Sequence, residues 1–267
     1  MGQTKVTSHC SRASNLTRSA VICAASLSLC VANVARAQTP SLRDFLLPRH
    51  AEPSGLSPGR YLPAEGEAFV VDRVQTGSLL LRFDDNPEVW ALTPVAGPRG
   101  DVIYKDDTGE TVLRSTRLGG LTLFTGDRPM GAPAAYSGDG PSIRLSPVAN
   151  ANLLFQTLVQ SSLRASRAAQ HLVVFEAPEL TARDTAPSAI AILADAAGVT
   201  AEALTRLAGR GPAGRTVVAR VARVQFLTGR DAEARSSGTV VTIVVSPDKG
   251  FAGRPSSARI ITTLMKK

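Results

Sequence analysis

Ser246 and Lys249 form an S-x-x-K motif, a spacing of residue types that suits catalysis. In enzymes that transfer acyl groups, this spacing places a serine nucleophile and a basic lysine one turn apart at the start of a helix. Here the motif follows an apolar run typical of a strand, and Pro247, Asp248 and Gly250 favour a turn. No K-T-G partner motif occurs. The pattern therefore predicts a turn and not a catalytic helix.

A hydrolase with a non-local site is the alternative catalytic hypothesis. Beyond residue 37 the sequence has two histidines, His50 in a proline-rich segment and His171 at the start of a predicted strand. Because the local motif G-x-S-x-G is absent, His171, an acidic residue of the 101–110 hairpin and a serine would have to converge in space. We predict no catalytic residue and keep the site around His171 as the alternative.

Residues 209–214 fit G-x-G-x-x-G, a pattern with which a backbone loop approaches phosphate groups at a helix N-terminus. That role needs a strand before the loop and a helix after it, whereas the surrounding pattern indicates a helix before and a strand after. Pro212 also removes one N–H donor. We predict a glycine-rich connection and no cofactor.

Acidic residues are frequent between positions 84 and 110. Asp107-Thr108-Gly109 matches the core of the aspartic-protease loop, but Lys105 and Asp106 precede it where that loop has apolar residues. The calcium-loop spacing D-x-D-x-D-G is absent. The sequence therefore predicts hairpin turns here and no metal site.

The first 37 residues have the pattern of an export signal. A basic segment precedes an apolar run at 20–34, which is too short to span a bilayer comfortably. Ala35 and Ala37 are the small residues that signal peptidase requires, so Gln38 is the predicted new N-terminus. All three cysteines precede this site, and none has the small residue before it that a lipid anchor requires. We predict a cysteine-free, periplasmic mature chain without a lipid or transmembrane anchor.

Residues 194–209 resemble the helix-turn-helix of DNA-reading repressors. In that resemblance Gly198 makes the tight turn, and Arg206 is a polar contact of the recognition helix at 201–208. Two ordinary helices, 188–197 and 201–208, satisfy the same pattern. Because an exported protein meets no operator DNA, we predict no nucleic-acid partner, and DNA binding remains an alternative only for a chain that is not exported.

Charge is divided unevenly along the chain. Residues 38–145 contain 11 basic and 14 acidic side chains, whereas residues 146–267 contain 15 and 8. A basic region can contact an anionic surface, an acidic polymer or an acidic partner. Aromatic residues are only 4% of the chain, which disfavours sugar clefts and single-strand nucleic-acid platforms that stack on rings.

The spacing of turns predicts an α+β protein in two parts. Strand-like segments recur every 8–12 residues in the first part, which favours an antiparallel β meander or small barrel. The predicted strands are 68–73, 78–83, 88–92, 102–105, 111–115 and 121–125. The second part is predicted to pack three or four strands with helices, the candidate strands being 172–175, 216–226, 239–245 and 258–264. The run 240–245 is apolar on both faces, which marks the predicted central strand. The predicted segments are a signal peptide (1–37), an extended proline-rich arm (38–66), the β domain (67–125), a Gly/Pro-rich linker (126–148) and an α+β domain (149–267).

Several short motifs resemble an uncharacterised family of exported alphaproteobacterial proteins, a domain of unknown function. The motifs are Arg82-Phe83-Asp84-Asp85, Pro87-Glu88-Val89-Trp90, Arg99-Gly100-Asp101, Asp106-Asp107-Thr108-Gly109, residues 118–125 and residues 250–257. The resemblance implies a Gram-negative source and export, and it carries no activity or site.

These patterns together predict a non-catalytic envelope protein that binds a partner or ligand. Loops held by rigid strands commonly bind ligands, and the predicted strand that ends near residue 245 leads into such a loop. The predicted binding-loop residues are Lys249, Gly250, Phe251, Gly253 and Arg254.

Overall fold

The first half of the described chain is a closed barrel of eight antiparallel strands. This computed structural model describes residues 56–73, 77–145, 149–178 and 186–266. The strands are β1 (Gly59–Pro63), β2 (Phe69–Arg73), β3 (Leu79–Phe83), β4 (Val89–Ala96), β5 (Val102–Lys105), β6 (Thr111–Ser115), β7 (Leu121–Thr125) and β8 (Arg128–Gly138). Since β8 pairs with β1, the predicted meander or small barrel is confirmed as a closed barrel.

Alternating side chains fill the barrel, as the two-residue period of a strand requires. Phe69 and Val71 of β2 and Leu81 of β3 are almost fully buried in one interior cluster. Outward-facing residues of the same strands, Val70 and Leu80, form a second cluster that Phe251 partly covers. One outer wall of the barrel is therefore buried against the rest of the protein.

Two segments predicted to lack regular structure belong to the barrel. β1 lies inside the predicted arm (38–66), and β8 lies inside the predicted linker (126–148). Pro63 is the last residue of β1 and lies beyond the residues that pair with β2, so its missing N–H breaks no pairing with that strand. Gly131 has φ +81° close to the irregular pairing of β7 with β8. The glycine- and proline-rich sequence that favours a linker therefore forms a strand whose pairing with β7 and β1 is irregular.

The second half is a mixed four-stranded sheet with helices, in the order β11-β12-β10-β9. Its elements are α1 (Ala151–Ala169), β9 (Val174–Glu176), α2 (Pro187–Gly209), α3 (Pro212–Val218), β10 (Arg223–Thr228), β11 (Glu233–Ser237), β12 (Val240–Val245) and α4 (Ser257–Met265). Short 3₁₀ helices lie at Pro98–Gly100 and Pro247–Gly253. β12 pairs with β10 and β11, which confirms it as a central strand. The α+β class is therefore correct.

Three local predictions in this half are wrong. The two helices at 188–197 and 201–208 are one helix, α2, because buried apolar side chains on both sides of Gly198 hold the helix together. The predicted strand 216–226 is split into α3, which begins at Pro212, and β10. The predicted strand 258–264 is the helix α4, because Ser256 caps it by accepting a hydrogen bond from the backbone of Arg259.

Helix α2 has the length and apolar composition of a membrane span, but 67% of that stretch is buried inside the protein. Its buried face includes Ile192, Leu193, Leu204 and Leu207, which belong to the core cluster of the second half. These contacts are those of a central packing helix. Residues 1–55, which include the predicted signal cleavage site at Ala35, Ala37 and Gln38 as well as His50, lie outside the described residues.

Candidate ligand-binding site at the acidic end of the barrel

One end of the barrel is acidic because of where the chain turns. In an antiparallel barrel every second loop lies at the same end, so the loops after β1, β3, β5 and β7 lie together. The loops and adjoining strand ends carry the acidic residues Glu65, Glu67, Asp84, Asp85, Glu88, Asp106, Asp107, Glu110 and Asp127. The acidic residues noted in the sequence therefore belong to one surface.

The mouth of the barrel at this end contains a cavity of about 250 Å³. Phe83 and Trp90 form its aromatic side, with their ring centroids 5.6 Å apart in an edge-to-face arrangement. Leu123 and Ala132 add apolar wall. The carboxylate-bearing residues that line it are Glu65, Glu67, Asp85 and Asp127. The mouth thus combines an aromatic floor with an anionic rim.

Trp90 brings an unused hydrogen-bond donor to this region. Its indole Nε1 is buried, and among the described residues it has no hydrogen-bond partner. A buried donor without an acceptor is unfavourable by about 1–3 kcal/mol. A ligand that offers an acceptor to this nitrogen would remove that penalty. Trp90 also borders a second cavity, of about 100 Å³, at the junction with the second half.

The rim carboxylates interact with each other and with one arginine. Glu65 lies 3.1 Å from Nη1 of Arg128, and the backbone N–H of Asp85 donates to Glu67. Desolvation, and after it a side-chain hydrogen bond with Asp85 and the like charges of Asp85 and Asp84, raises the pKa of Glu67, although the backbone hydrogen bond from Asp85 acts in the opposite direction. A cation placed between these carboxylates would favour their charged form.

Two other carboxylates of the acidic end form hydrogen bonds with the second half of the protein. Glu88 accepts from the backbone N–H of Ser257 at 2.8 Å and from its hydroxyl at 2.6 Å. Asp107 accepts from the backbone N–H of Ser256 at 2.8 Å and from its hydroxyl at 2.5 Å. Ser256 and Ser257 begin α4, so both carboxylates meet the positive end of a helix. This contact fastens the acidic end of the barrel to the second half.

Arg206 and Arg254 complete the junction. Arg206 donates to the Ser257 hydroxyl at 3.0 Å and lies 3.6 Å from the Glu88 carboxylate. Arg254, only 4% exposed, pairs with Asp195 and donates to the backbone oxygen of Val89 at 2.8 Å. Buried charges of this kind persist only when they are paired and hydrogen-bonded. At the junction, Arg206 of the basic second half therefore faces Glu88 of the acidic first half.

The predicted binding loop lies at this junction. Phe251 packs on the outer wall of the barrel, and together with Arg254 it lines the smaller cavity. Lys249 is directed elsewhere, to an ion pair with Asp231 at 2.7 Å. Gly250 and Gly253 lie in the Pro247–Gly253 3₁₀ helix. The contacts of Phe251 and Arg254 hold the two halves together, and ligand binding by the loop stays a prediction.

In the described part of the structure, the contacts of His171, the histidine of the alternative hydrolase site, are with backbone oxygens and not with an acidic side chain. Both ring nitrogens of His171 lie within hydrogen-bonding distance of backbone oxygens, those of Ala169 (3.0 Å) and Val221 (2.9 Å). No hydrogen bond within the described ranges joins His171 to the 101–110 hairpin. Ser246 of the S-x-x-K motif precedes a 3₁₀ turn, in which the N–H of Lys249 donates to its carbonyl. That arrangement is the predicted turn.

The remaining motifs have structural roles. The continuous helix α2 removes the turn of the proposed helix-turn-helix, and Arg206 is directed to the junction. In the glycine-rich segment, Gly211 (φ +94°) precedes α3, so a helix follows it where we predicted a strand. Asp106 closes the 106–110 hairpin by accepting from Thr108 and Glu110. No group of three or more metal-ligating side chains occurs in the part of the chain that is described.

Sequence reasoning missed the mouth of the barrel as a site. The usable signals were present: a single tryptophan, and acidic residues in every second turn of the meander. These signals point to one site only when the number of strands and the closure of the barrel are known, because the loops that carry Glu65 and Asp127 adjoin β1 and β8.

Comparison with known proteins gives a family but no activity. The family model described as a domain of unknown function (DUF4908) matches residues 41–264. No curated protein and no solved structure matches the chain. The assignment of function therefore depends on the site itself.

Proposed function

The chain belongs to the DUF4908 family, and from this premise we propose that it is an exported, periplasmic, non-catalytic protein that binds a small organic cation in the mouth of its barrel. The observation that carries the proposal is the cavity of about 250 Å³, with Phe83 and Trp90 on one side and a rim of carboxylates. The mouths of β-barrels are frequent ligand sites.

The chemistry of the mouth favours a positive ligand. Indole and phenyl faces attract cations, by about 0.5–2 kcal/mol depending on desolvation. Rim carboxylates add attraction and steer a cation toward the opening. The unpartnered Trp90 N–H favours a ligand that also carries a hydrogen-bond acceptor. An amine or guanidine with a nearby oxygen meets both requirements.

The sequence supports the location and the absence of catalysis in this proposal. The pattern of residues 1–37 is that of a cleaved export signal, and the resemblance described above is to exported proteins. Both His171 nitrogens are close to backbone oxygens, which favours a structural role for this ring. N-terminal sequencing of the protein from fractionated cells tests the location: a periplasmic chain that starts at Gln38 supports it, and an unprocessed cytosolic chain contradicts it.

The binding test uses Trp90 as its own reporter, because it is the only tryptophan. The protein is titrated with L-arginine and 1,4-diaminobutane, and with succinate as an anionic comparison. We expect saturable changes in indole fluorescence with both cations, with matching heats in calorimetry, and no saturable response to succinate. 1,4-Diaminobutane should bind more weakly than L-arginine, because it has no acceptor for the Trp90 N–H.

Two matched variants locate the site. Asp127→Asn removes a rim carboxylate and should weaken cation binding about twofold to fivefold, which corresponds to the ~0.5–1 kcal/mol of one exposed charge pair. Asp231→Asn removes an exposed carboxylate in the second half and should leave binding unchanged. No saturable response to either cation, or equal losses in both variants, would contradict a cation site in the mouth.

A further inference from the structure

The outer side of α1 is an apolar surface that the rest of the described chain leaves uncovered. The helix packs on α2 through a face that includes Leu154, Ala165 and Ala169. On the other side Phe155, Val159 and Leu163 are 66%, 42% and 53% exposed. Their spacing of four residues places them on successive turns of one face.

The chain after α1 extends this surface. Ser162 donates to the backbone oxygen of Val173 at 2.6 Å, and the hydroxyl of Ser166 accepts from the Val173 N–H at 2.9 Å. These bonds hold the following segment against the helix. Leu172 and Val174, which flank Val173, are 69% and 38% exposed. We call the set Phe155, Val159, Leu163, Leu172 and Val174 the α1 face.

Positive charge lies at one end of the α1 face. Helix α1 contains no aspartate or glutamate, and it carries Arg164 and Arg167 near its C-terminus. The contact of His171 with the Val221 oxygen brings the exposed Arg220 close to the same end. Arg164 has Glu202 at 3.7 Å, whereas Arg167 and Arg220 make no salt bridge within the described ranges. The end of the face is therefore net positive.

We infer that the α1 face docks on an anionic phospholipid surface. Exposed Phe, Leu and Val side chains beside arginines are the composition with which amphipathic helices bind at the membrane–water interface. The apolar side chains would enter the headgroup boundary while the guanidinium groups bind lipid phosphates. This inference concerns the opposite half of the protein from the barrel mouth and does not depend on the ligand proposed there.

A second copy of the chain fits the face less well. In a two-fold pair the same patch contacts itself, and an antiparallel pairing of α1 would bring the arginines of one copy to the N-terminal, positive end of the other helix. Because α1 has no acidic residue, no carboxylate on the partner helix would balance them. The charges therefore favour an anionic surface over self-association.

The test measures co-sedimentation of the protein with vesicles. We expect binding to phosphatidylglycerol–phosphatidylethanolamine vesicles, with little binding to phosphatidylcholine and a fall in the bound fraction as salt rises from 50 to 300 mM, values chosen to shorten the Debye length. Phe155→Ser combined with Leu163→Ser should lower the partition coefficient about tenfold or more. Arg167→Gln combined with Arg220→Gln should lower it about fivefold or more and remove most of the salt dependence.

Leu118→Ser is the matched control, because Leu118 is an equally apolar residue that is 98% exposed in a barrel loop. It should bind vesicles as the unchanged protein does. Circular dichroism and thermal unfolding check that each variant is folded. Absence of binding to anionic vesicles, or equal binding by the Phe155/Leu163 variant, overturns the inference. A concentration-dependent dimer in light scattering that this variant abolishes would also overturn it, since the face would then be a dimer interface.

Discussion

The acidic end of the barrel contains two groups of carboxylates with opposite surroundings. Glu88 accepts hydrogen bonds from Ser257, the first residue of α4, and Asp107 accepts them from the N-cap residue Ser256. Glu88 is only 3% exposed. Glu67 and Asp127 line the open mouth above an aromatic floor. Carboxylates on neighbouring loops therefore stabilise the contact with α4 in the first group and, we propose, bind a ligand in the second. Partners and burial, and not the density of acidic residues, distinguish the two groups.

Replacement of Glu88 should lower the free energy of unfolding more than any other substitution in the two groups of carboxylates. Glu88→Ala leaves the N–H and the hydroxyl of Ser257 without their acceptor, whereas Arg206 keeps its ion pair with Glu202. Loss of these two charge-assisted hydrogen bonds at a buried site should cost about 3 kcal/mol. We expect a fall of that size in the free energy of unfolding, measured by urea denaturation. Glu67→Gln, at the mouth, should change it by less than about 0.5 kcal/mol. Equal effects of the two substitutions would contradict the distinction.

Replacement of Asp107 should have a smaller effect of the same kind. Asp107→Ala removes the acceptor for the backbone and hydroxyl of Ser256, but Asp107 is exposed and water can take its place. The loss should be about 1 kcal/mol, the usual value for a helix cap. Urea denaturation measures it, and Asp106→Ala would show whether the hairpin turn contributes separately.

Replacement of Trp90 should lower the affinity for cations while it leaves the free energy of unfolding nearly unchanged. Trp90→Phe keeps an aromatic ring beside Phe83 but removes the Nε1 donor. We expect cation affinity to fall about fivefold to tenfold, as lost cation–π strength and one lost hydrogen bond imply, while the unfolding free energy changes by about 1 kcal/mol or less. Calorimetry with L-arginine measures the first quantity. Unchanged affinity would show that Trp90 does not contact the ligand.

The pH dependence of binding should be the smallest effect. The pKa of Glu67 is raised above its ordinary value of 4.5, first by desolvation and then by its interaction with Asp85. A bound cation favours the carboxylate, so binding should release a proton and strengthen as pH rises through this raised pKa. Calorimetry between pH 4 and 7, a range chosen to span that titration, should show this increase. Glu67→Gln should flatten it, whereas a pH dependence that persists would assign it to another group.

The barrel was predictable where its strands alternate and its turns are marked. Three strands, 102–105, 111–115 and 121–125, were predicted with the bounds observed. β1 and β8 were missed because prolines and glycines in them match the composition of loops. Their place in the sheet is fixed by closure with each other, a long-range pairing that local composition does not encode.

The second half was less predictable because burial overrides local preference. The run Ile260-Ile261 suggested a strand, yet Ile260, Ile261 and Leu264 share the buried face of α4. Gly198 suggested a turn, yet it lies inside α2, whose surrounding residues are buried. The sequence also does not reveal the junction, because the residues that meet there, such as Glu88 and Ser257, are far apart in the chain.

The hydrogen bonds of Glu88 with Ser257 join residues 169 positions apart. The barrel strands are complete by Gly138, so the barrel can form before the residues of α4 are available, whereas the contact with α4 forms only after α4 has been synthesised. In a chain that is made from its N-terminus, this contact therefore forms later than the pairing of the barrel strands. A chain truncated before Ser256 would leave Glu88 without its partners, and such unfinished molecules should be the first that proteases remove.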